Sequence, residues 1–203
     1  DTRIWDFGGL PVHLQNDVQV NGEGQLTIVP GSVIKMGPFV SIGSSSTDRG
    51  VLLAEGSEDQ PIVFTSFLDD TVGGDSNADN NLTTPGRDDW GGLYLYHGDS
   101  RLTNVEVRYG GSDNFGGVYI NEDEAGTDGS NVTLENVRLL LNGSEGIQID
   151  RGDPILRGIS IVGSGEVAIA QAFAAQPIYD GVTARDNLAG DHVRLAGGAI
   201  NSP

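Results

Sequence analysis

The residues best placed to do chemistry are acidic, and they crowd one stretch. Residues 67–89 carry Asp69, Asp70, Asp75, Asp79, Asp88 and Asp89 on a background of Gly, Ser, Asn and Thr. Asp75, Asn77 and Asp79 alternate as D-x-N-x-D, which sets three oxygen ligands on one side of a tight turn, as a hard cation such as Ca²⁺ requires. Asn80 follows where calcium loops often carry glycine, and asparagine tolerates the left-handed backbone better than other non-glycine residues. Gly86 stands where an EF-hand would supply its bidentate glutamate, so the loop is not an EF-hand. Other carboxylates must close the shell, and Asp69, Asp70 and Asp88 are the candidates. The competing reading is a solvated acidic loop without metal. A second acidic segment, Glu122-Asp123-Glu124 with Asp128, lacks the alternation and is a weaker candidate.

Other chemistry finds less support. Paired carboxylates hydrolyse glycosides when held at the right separation. Neighbours on a strand point to opposite faces, so neither Asp69-Asp70 nor Asp88-Asp89 converges by itself. A polysaccharide lyase needs a base beside the α-proton, and Lys35, the sole lysine, occupies an ordinary repeat position. His13, His97 and His192 are scattered, and no glycine-rich phosphate loop opens a helix. Arg151-Gly152-Asp153 falls at a turn and is read as structural. The expectation is a protein without catalytic residues.

A face for a ligand is easier to place. Trp90, Tyr94, Tyr96 and Tyr119 are read as outward aromatic residues, with Tyr94 and Tyr119 at equivalent repeat positions, about 4.8 Å apart if they ladder across neighbouring strands. Aromatic rings beside acids and amides suit carbohydrate; cross-strand stacking for stability is the competing reading.

The elements that position these residues are repeats. Trp90-Gly91-Gly92-Leu93-Tyr94-Leu95-Tyr96 returns as Phe115-Gly116-Gly117-Val118-Tyr119-Ile120 and, with a polar outer face, as Ser144-Glu145-Gly146-Ile147-Gln148-Ile149. Weaker copies place inward markers at Val167 and Val193, so the steps from Leu93 are 25, 29, 20 and 26. A second phrase, hydrophobe-x-x-hydrophobe-x-hydrophobe, recurs at Leu102/Val105/Val107, Leu134/Val137/Leu139, Leu156/Ile159/Ile161 and Tyr179/Val182/Ala184. A period in the twenties is the mark of a solenoid, with irregular lengths absorbed by loops. No stretch holds a helical apolar period, so the chain is expected to be all-β.

The 203 residues carry 11 Lys+Arg against 29 Asp+Glu, a net charge of -18. Such a surface repels nucleic acid and attracts divalent cations or screening salt. Cysteine is absent, which excludes disulfides and thiolate metal sites, and no apolar run is long enough to insert in a membrane.

Leu26-Thr27-Ile28-Val29-Pro30-Gly31-Ser32-Val33-Ile34-Lys35, Pro61-Ile62-Val63-Phe64-Thr65-Ser66, Asp89-Trp90-Gly91-Gly92 and Arg108-Tyr109-Gly110-Gly111 resemble the signatures of right-handed parallel β-helix repeat proteins of bacterial surfaces, which belong to the pectate-lyase-like superfold. The resemblance covers residues 10–120 well and the rest through the repeat alone. It implies a right-handed parallel β-helix of about seven to eight coils with inserted loops. It also implies an extracellular or cell-surface setting and an adhesin-like role. The related polygalacturonases would show a Gly-His-Gly, which this chain lacks.

The expected organisation is one domain over 1–203: a first coil or cap at 1–25, an inserted acidic loop at 67–89 and a second insertion at 122–130. The chain reads as a fragment of something larger. The leading expectation is a calcium-stabilised structural or adhesive module with surface glycans or proteins as partners. The alternatives are a carbohydrate-binding or polysaccharide-processing module, and a unit that self-associates through its solenoid ends.

Overall fold

The computed structural model describes residues 1–44, 50–112, 114–122 and 131–198. Among these the chain is all-β: there is no helix, and the strands pair in parallel.

The strands recur in trios. The first is β1 (Thr2–Trp5), β2 (Val12–Leu14) and β3 (Val18–Gln19). Next come β4 (Gln25–Ile28), β5 (Val33–Met36) and β6 (Ser41–Gly43), then β7 (Val51–Glu55), β8 (Ile62–Ser66) and β9 (Gly92–Leu95). The long strands β10 (Arg101–Arg108) and β12 (Thr133–Leu140) each merge the first two members, and β11 (Val118–Asn121) and β13 (Ile147–Arg151) complete them. The final groups are β14 (Ile155–Arg157), β15 (Ser160–Val162) and β16 (Val167–Gln171), then β17 (Ile178–Asp180), β18 (Thr183–Arg185) and β19 (Gly190–Leu195). Each strand pairs with its counterpart in the next group. First and second members share a 12-stranded sheet, and third members form a 7-stranded sheet ordered β3-β6-β9-β11-β13-β16-β19 or its reverse.

Register turns this pairing into a core. Ala54, Leu102, Leu134, Leu156 and Tyr179 align in one row. Ile34, Phe64, Val107, Leu139, Ile161 and Ala184 align in a second. Val18, Ile42, Leu93, Val118, Ile147, Ile169 and Val193 align in a third. The interior members of these rows are fully buried. β-branched and leucine side chains at alternate positions suit such a pleated, close-packed stack. The second sequence phrase thus lies in the register the repeat predicted. The first needs one correction: Ile147 pairs with Ile169, not Val167, and β16 slips between Val167 and Ile169 as it meets β19. The steps into and out of that position are therefore 22 and 24 rather than 20 and 26.

The bend inside β10 and β12 has a chemical cause. Asn104 and Asn136 sit there with φ of 49° and 53°, and Gly158 and Gly181 follow in the same row with 60° and 66°. Asparagine and glycine tolerate this left-handed conformation. The Asn104 amide also donates to the Gly56 carbonyl at 3.1 Å, linking one corner to the next. In the first group Trp5 packs against the core and Phe7 meets its edge at 5.9 Å, but Phe7 remains exposed. Residues 45–49, residue 113, residues 123–130 of the second acidic insertion and residues 199–203 lie outside the described residues.

Candidate functional site

The acidic segment 67–89 is a strap laid over the outer face of the second strand position. Lys35 on β5 and Thr65 on β8 are register partners whose neighbours Ile34 and Phe64 belong to the core, so alternation turns both outward. Both are nevertheless fully buried. The strap covers them. The Phe67 ring stacks on His13 at 3.5 Å with 7° between planes. Gly73 lies so close that a Cβ there would come within 3.0 Å of Pro11 and 3.2 Å of Val33. The Lys35 ammonium donates to the Gly74 carbonyl. The one lysine therefore anchors the loop, and its repeat position gave no hint of that.

Burial of charge demands partners, and most of the strap's charges have them. Asp69 is fully buried; it accepts from the Thr65 hydroxyl at 2.6 Å, the Thr71 hydroxyl at 2.6 Å and the Thr71 N–H at 3.0 Å, and it pairs with Arg108 at 3.3 Å. Burial pushes its pKa up, but these donors outweigh burial and hold it below the usual carboxylate value. Arg108 also pairs with Glu106, which Arg138 meets at 2.9 Å. Lys35 is pulled below its ordinary pKa by burial, against the pull of Asp70, Asp69 and Asp75.

Asp70 is the exception. Both its carboxylate oxygens are shielded from solvent and meet no donor. Burial, then Asp75 and Asp79, raise its pKa, with Lys35 opposing. Carboxylate oxygens of Asp70, Asp75 and Asp79 lie within 4.8 Å of one another. The D-x-N-x-D turn shapes this cluster. Asp75 accepts the N–H groups of Asp79 and Asn80 at 3.1 and 3.0 Å. Asp79 accepts those of Leu82 and Thr83, both at 2.9 Å, together with the Thr83 hydroxyl. Asn77 donates its amide to Asp79 at 3.0 Å, and Asn80 adopts the expected left-handed φ of 57°. Asp70 and both oxygens of Asp75 retain lone-pair capacity for a cation, whereas three donors already crowd Asp79 Oδ2 and leave its Oδ1 as the better ligand atom.

The six sequence-nominated metal residues thus divide. Asp70, Asp75 and Asp79 converge, and Asn77 braces Asp79. Asp69 is consumed by Thr65, Thr71 and Arg108. Asp88 lies elsewhere, against Gly143, where a Cβ would sit 1.3 Å from its Oδ1. Beside it Arg87 donates to the Gly163 carbonyl at 2.7 Å and Asp89 accepts the Gly86 N–H at 3.0 Å, closing the strap's far end.

The aromatic candidates also divide. Trp90 is not on a surface: it is fully buried, and its indole N–H donates to the Arg108 carbonyl at 2.7 Å. Counting by twos from Tyr94 turns Trp90 outward, but Gly92 intervenes at φ 147° and resets the alternation. Tyr94 and Tyr119 are register neighbours as expected, yet their rings meet edge to face at 5.8 Å rather than laddering. Tyr119 is only 4% exposed; its hydroxyl donates to Asp150 at 2.7 Å and accepts from the Asn121 amide at 3.0 Å. Burial, then the Asp150 contact, pushes its pKa well above the ordinary tyrosine value. Tyr96 meets Tyr119 at 5.8 Å, and Phe115 packs at 4.6 Å from Tyr119 and 5.7 Å from Tyr94. Tyr94, Tyr96 and Phe115 line a groove of about 300 Å³, together with Phe39, Asp17, Gln19, Ser41 and Ser44. The sequence alone does not single out Phe39, and Phe115 stands in it only as the first residue of a repeat, because neither lies on a strand whose alternation would assign it a face.

No protein-family model matches this chain, and no curated protein or solved structure matches it either.

Proposed function

We propose that the chain is a right-handed parallel β-helix of seven turns, and that it serves as a non-enzymatic structural or adhesive module outside the cell, stabilised by Ca²⁺ on the 67–89 strap. Three-strand groups pairing in register support the coil. Its hand follows from the strong right-handed preference of parallel crossovers. The observation that carries the metal is Asp70, a carboxylate shielded from water without a donor and facing two further carboxylates. An uncompensated buried charge is costly, and a hard divalent cation held by Asp70, Asp75 and Asp79 supplies the missing compensation. The metal's role is structural: it offsets the repulsion among the three carboxylates and fixes the strap over Lys35. Calcium is abundant outside cells, which fits the extracellular setting, as does the -18 charge.

Calorimetric melting in EDTA and across a calcium series tests this reading. The midpoint is expected to rise with calcium and to lose that dependence in Asp70→Asn. An unchanged wild-type midpoint would sink it.

Self-association through the solenoid ends is the second reading. Tyr179 and Val193 continue two core rows, yet they are 38% and 42% exposed, and Leu195 is 55% exposed. Light scattering at high protein concentration with calcium present decides it: a monomeric mass throughout argues against assembly.

A further inference from the structure

We propose that the groove bordered by β3, β6 and β9 binds a neutral or amino-bearing polysaccharide chain. The site is on the 7-stranded sheet and is independent of the calcium strap.

The first argument is Phe39. It is 67% exposed and holds a left-handed φ of 60°. The φ is set locally, because Phe39 is the third residue of a turn that Pro38 enters and that the Val40 N–H closes by donating to the Gly37 carbonyl at 3.2 Å. The exposure is not set that way, since an aromatic side chain in solvent gains nothing from burial. Phe39 stands at the rim of the same groove as Tyr94, Tyr96 and Phe115. These rings are fixed, because Tyr94 and Phe115 pack at 5.7 Å and both contact the buried Tyr119. Ordered rings cost little conformational entropy on binding.

The second argument is the polar lining. Asp17 is exposed and gives one carboxylate oxygen to the Ser41 N–H at 2.9 Å, which fixes its position. Gln19 is exposed beside it. Ser44 accepts the Tyr96 N–H at 3.2 Å, which sets the backbone that carries the Tyr96 ring. A carboxylate is an acceptor and calls for a ligand rich in donors. Sugar hydroxyls supply donors, while the C–H faces of the same ring lie against aromatic side chains. A polyproline segment, the other ligand of aromatic grooves, has no N–H groups to offer Asp17.

Charge narrows the class. With Asp17 in the lining and a net charge of -18, the protein repels uronate and sulfated glycans. Neutral and amino sugars remain.

Affinity electrophoresis of the whole chain tests the proposal against soluble β-1,3-glucan, β-1,4-glucan, mannan and chitosan, with alginate and a polyproline peptide as controls. Retention by at least one neutral or amino glycan and none by alginate is expected. Phe39→Ala should weaken that binding at least tenfold while leaving the circular dichroism spectrum intact, since the side chain is exposed. Tyr96→Ala should do the same; if it fails to fold, Phe39→Ala alone decides. Asp70→Asn in EDTA should bind as well as wild type, which separates this site from the calcium reading. Three results would overturn the proposal: no retention by the neutral and amino glycans, retention unchanged in Phe39→Ala, or binding of the polyproline peptide alone.

Discussion

Two outer faces of the same stack solve the problem of an outward side chain in opposite ways. On the second strand position, the strap buries Lys35 and Thr65 beneath it, together with its own Asp69 and the carboxylate oxygens of Asp70. On the 7-stranded sheet, Tyr94, Tyr96, Phe115 and Tyr119 cover one another, and Phe39 stays in solvent. The first face is held by charges that must be matched in a low dielectric. The second is held by ring contacts that tolerate loss. Removing a matched charge should therefore be expensive on the first face, removing the unmatched Asp70 should cost nothing, and removing a ring contact should be mild on the second.

The largest expected effect is Lys35→Met. It leaves Asp70 and Asp75 without a nearby cation and Asp69 with Arg108 alone, and it removes the bond to the Gly74 carbonyl. Breaking such a buried arrangement costs about 3–5 kcal/mol. Urea unfolding in EDTA measures it, and a loss below about 1 kcal/mol would show that the strap is not locked by charge. Calcium comes next. At 100 times its Kd it should add about 2.7 kcal/mol to wild type and nothing to Asp70→Asn. In EDTA, Asp70→Asn should be at least as stable as wild type, because it removes a carboxylate without a donor. A clear loss of stability there would break the comparison at its centre. On the aromatic face, Tyr119→Phe deletes the hydroxyl donated to Asp150 and should cost about 1.5 kcal/mol by the same measurement.

Acid titration separates the faces by sign. Asp69 has a lowered folded pKa, so its contribution is present above its unfolded value, near 3.9, and fades as pH falls through the folded value. Glu122, at the end of β11, is raised by burial despite accepting the N–H groups of Val132 and Asp153. Its contribution is greatest below its unfolded value, near 4.3, and declines as pH rises through the folded one. Asp69→Asn should thus flatten the loss of stability as pH falls below about 4, and Glu122→Gln the loss as pH rises above about 4. Slopes unchanged in both variants would show that neither carboxyl is coupled to folding. The smallest effect belongs to Phe39→Gly, which relieves the positive φ and should stabilise by about 1 kcal/mol or less.

The repeat was legible because burial follows spacing. Leu102, Val105 and Val107 recur at Leu134, Val137 and Leu139, and parallel pairing places like on like. The D-x-N-x-D turn was legible too, because Asp75 and Asp79 bond only to residues a few positions away. Trp90 was misplaced because two glycines break the two-residue alternation on which facing depends. Lys35 was overlooked because alternation says that a side chain points outward, and is silent on what lies over it. Asp70 emerged from a choice of several carboxylates only when the strap's path was known.

Composition and spacing alone thus determined the β architecture, the inward rows, the acidic character and the local turn at Asp75–Asp79. These depend on neighbours in sequence or on a period, and both are written along the chain. Tertiary structure decided that the strap folds back over Lys35, that Asp70 lacks a donor, and that Phe39 joins rings 55 or more residues away. Those facts depend on long-range packing, where a loop's resting place is set by His13, Pro11 and Arg108 on strands and turns far from it in the chain.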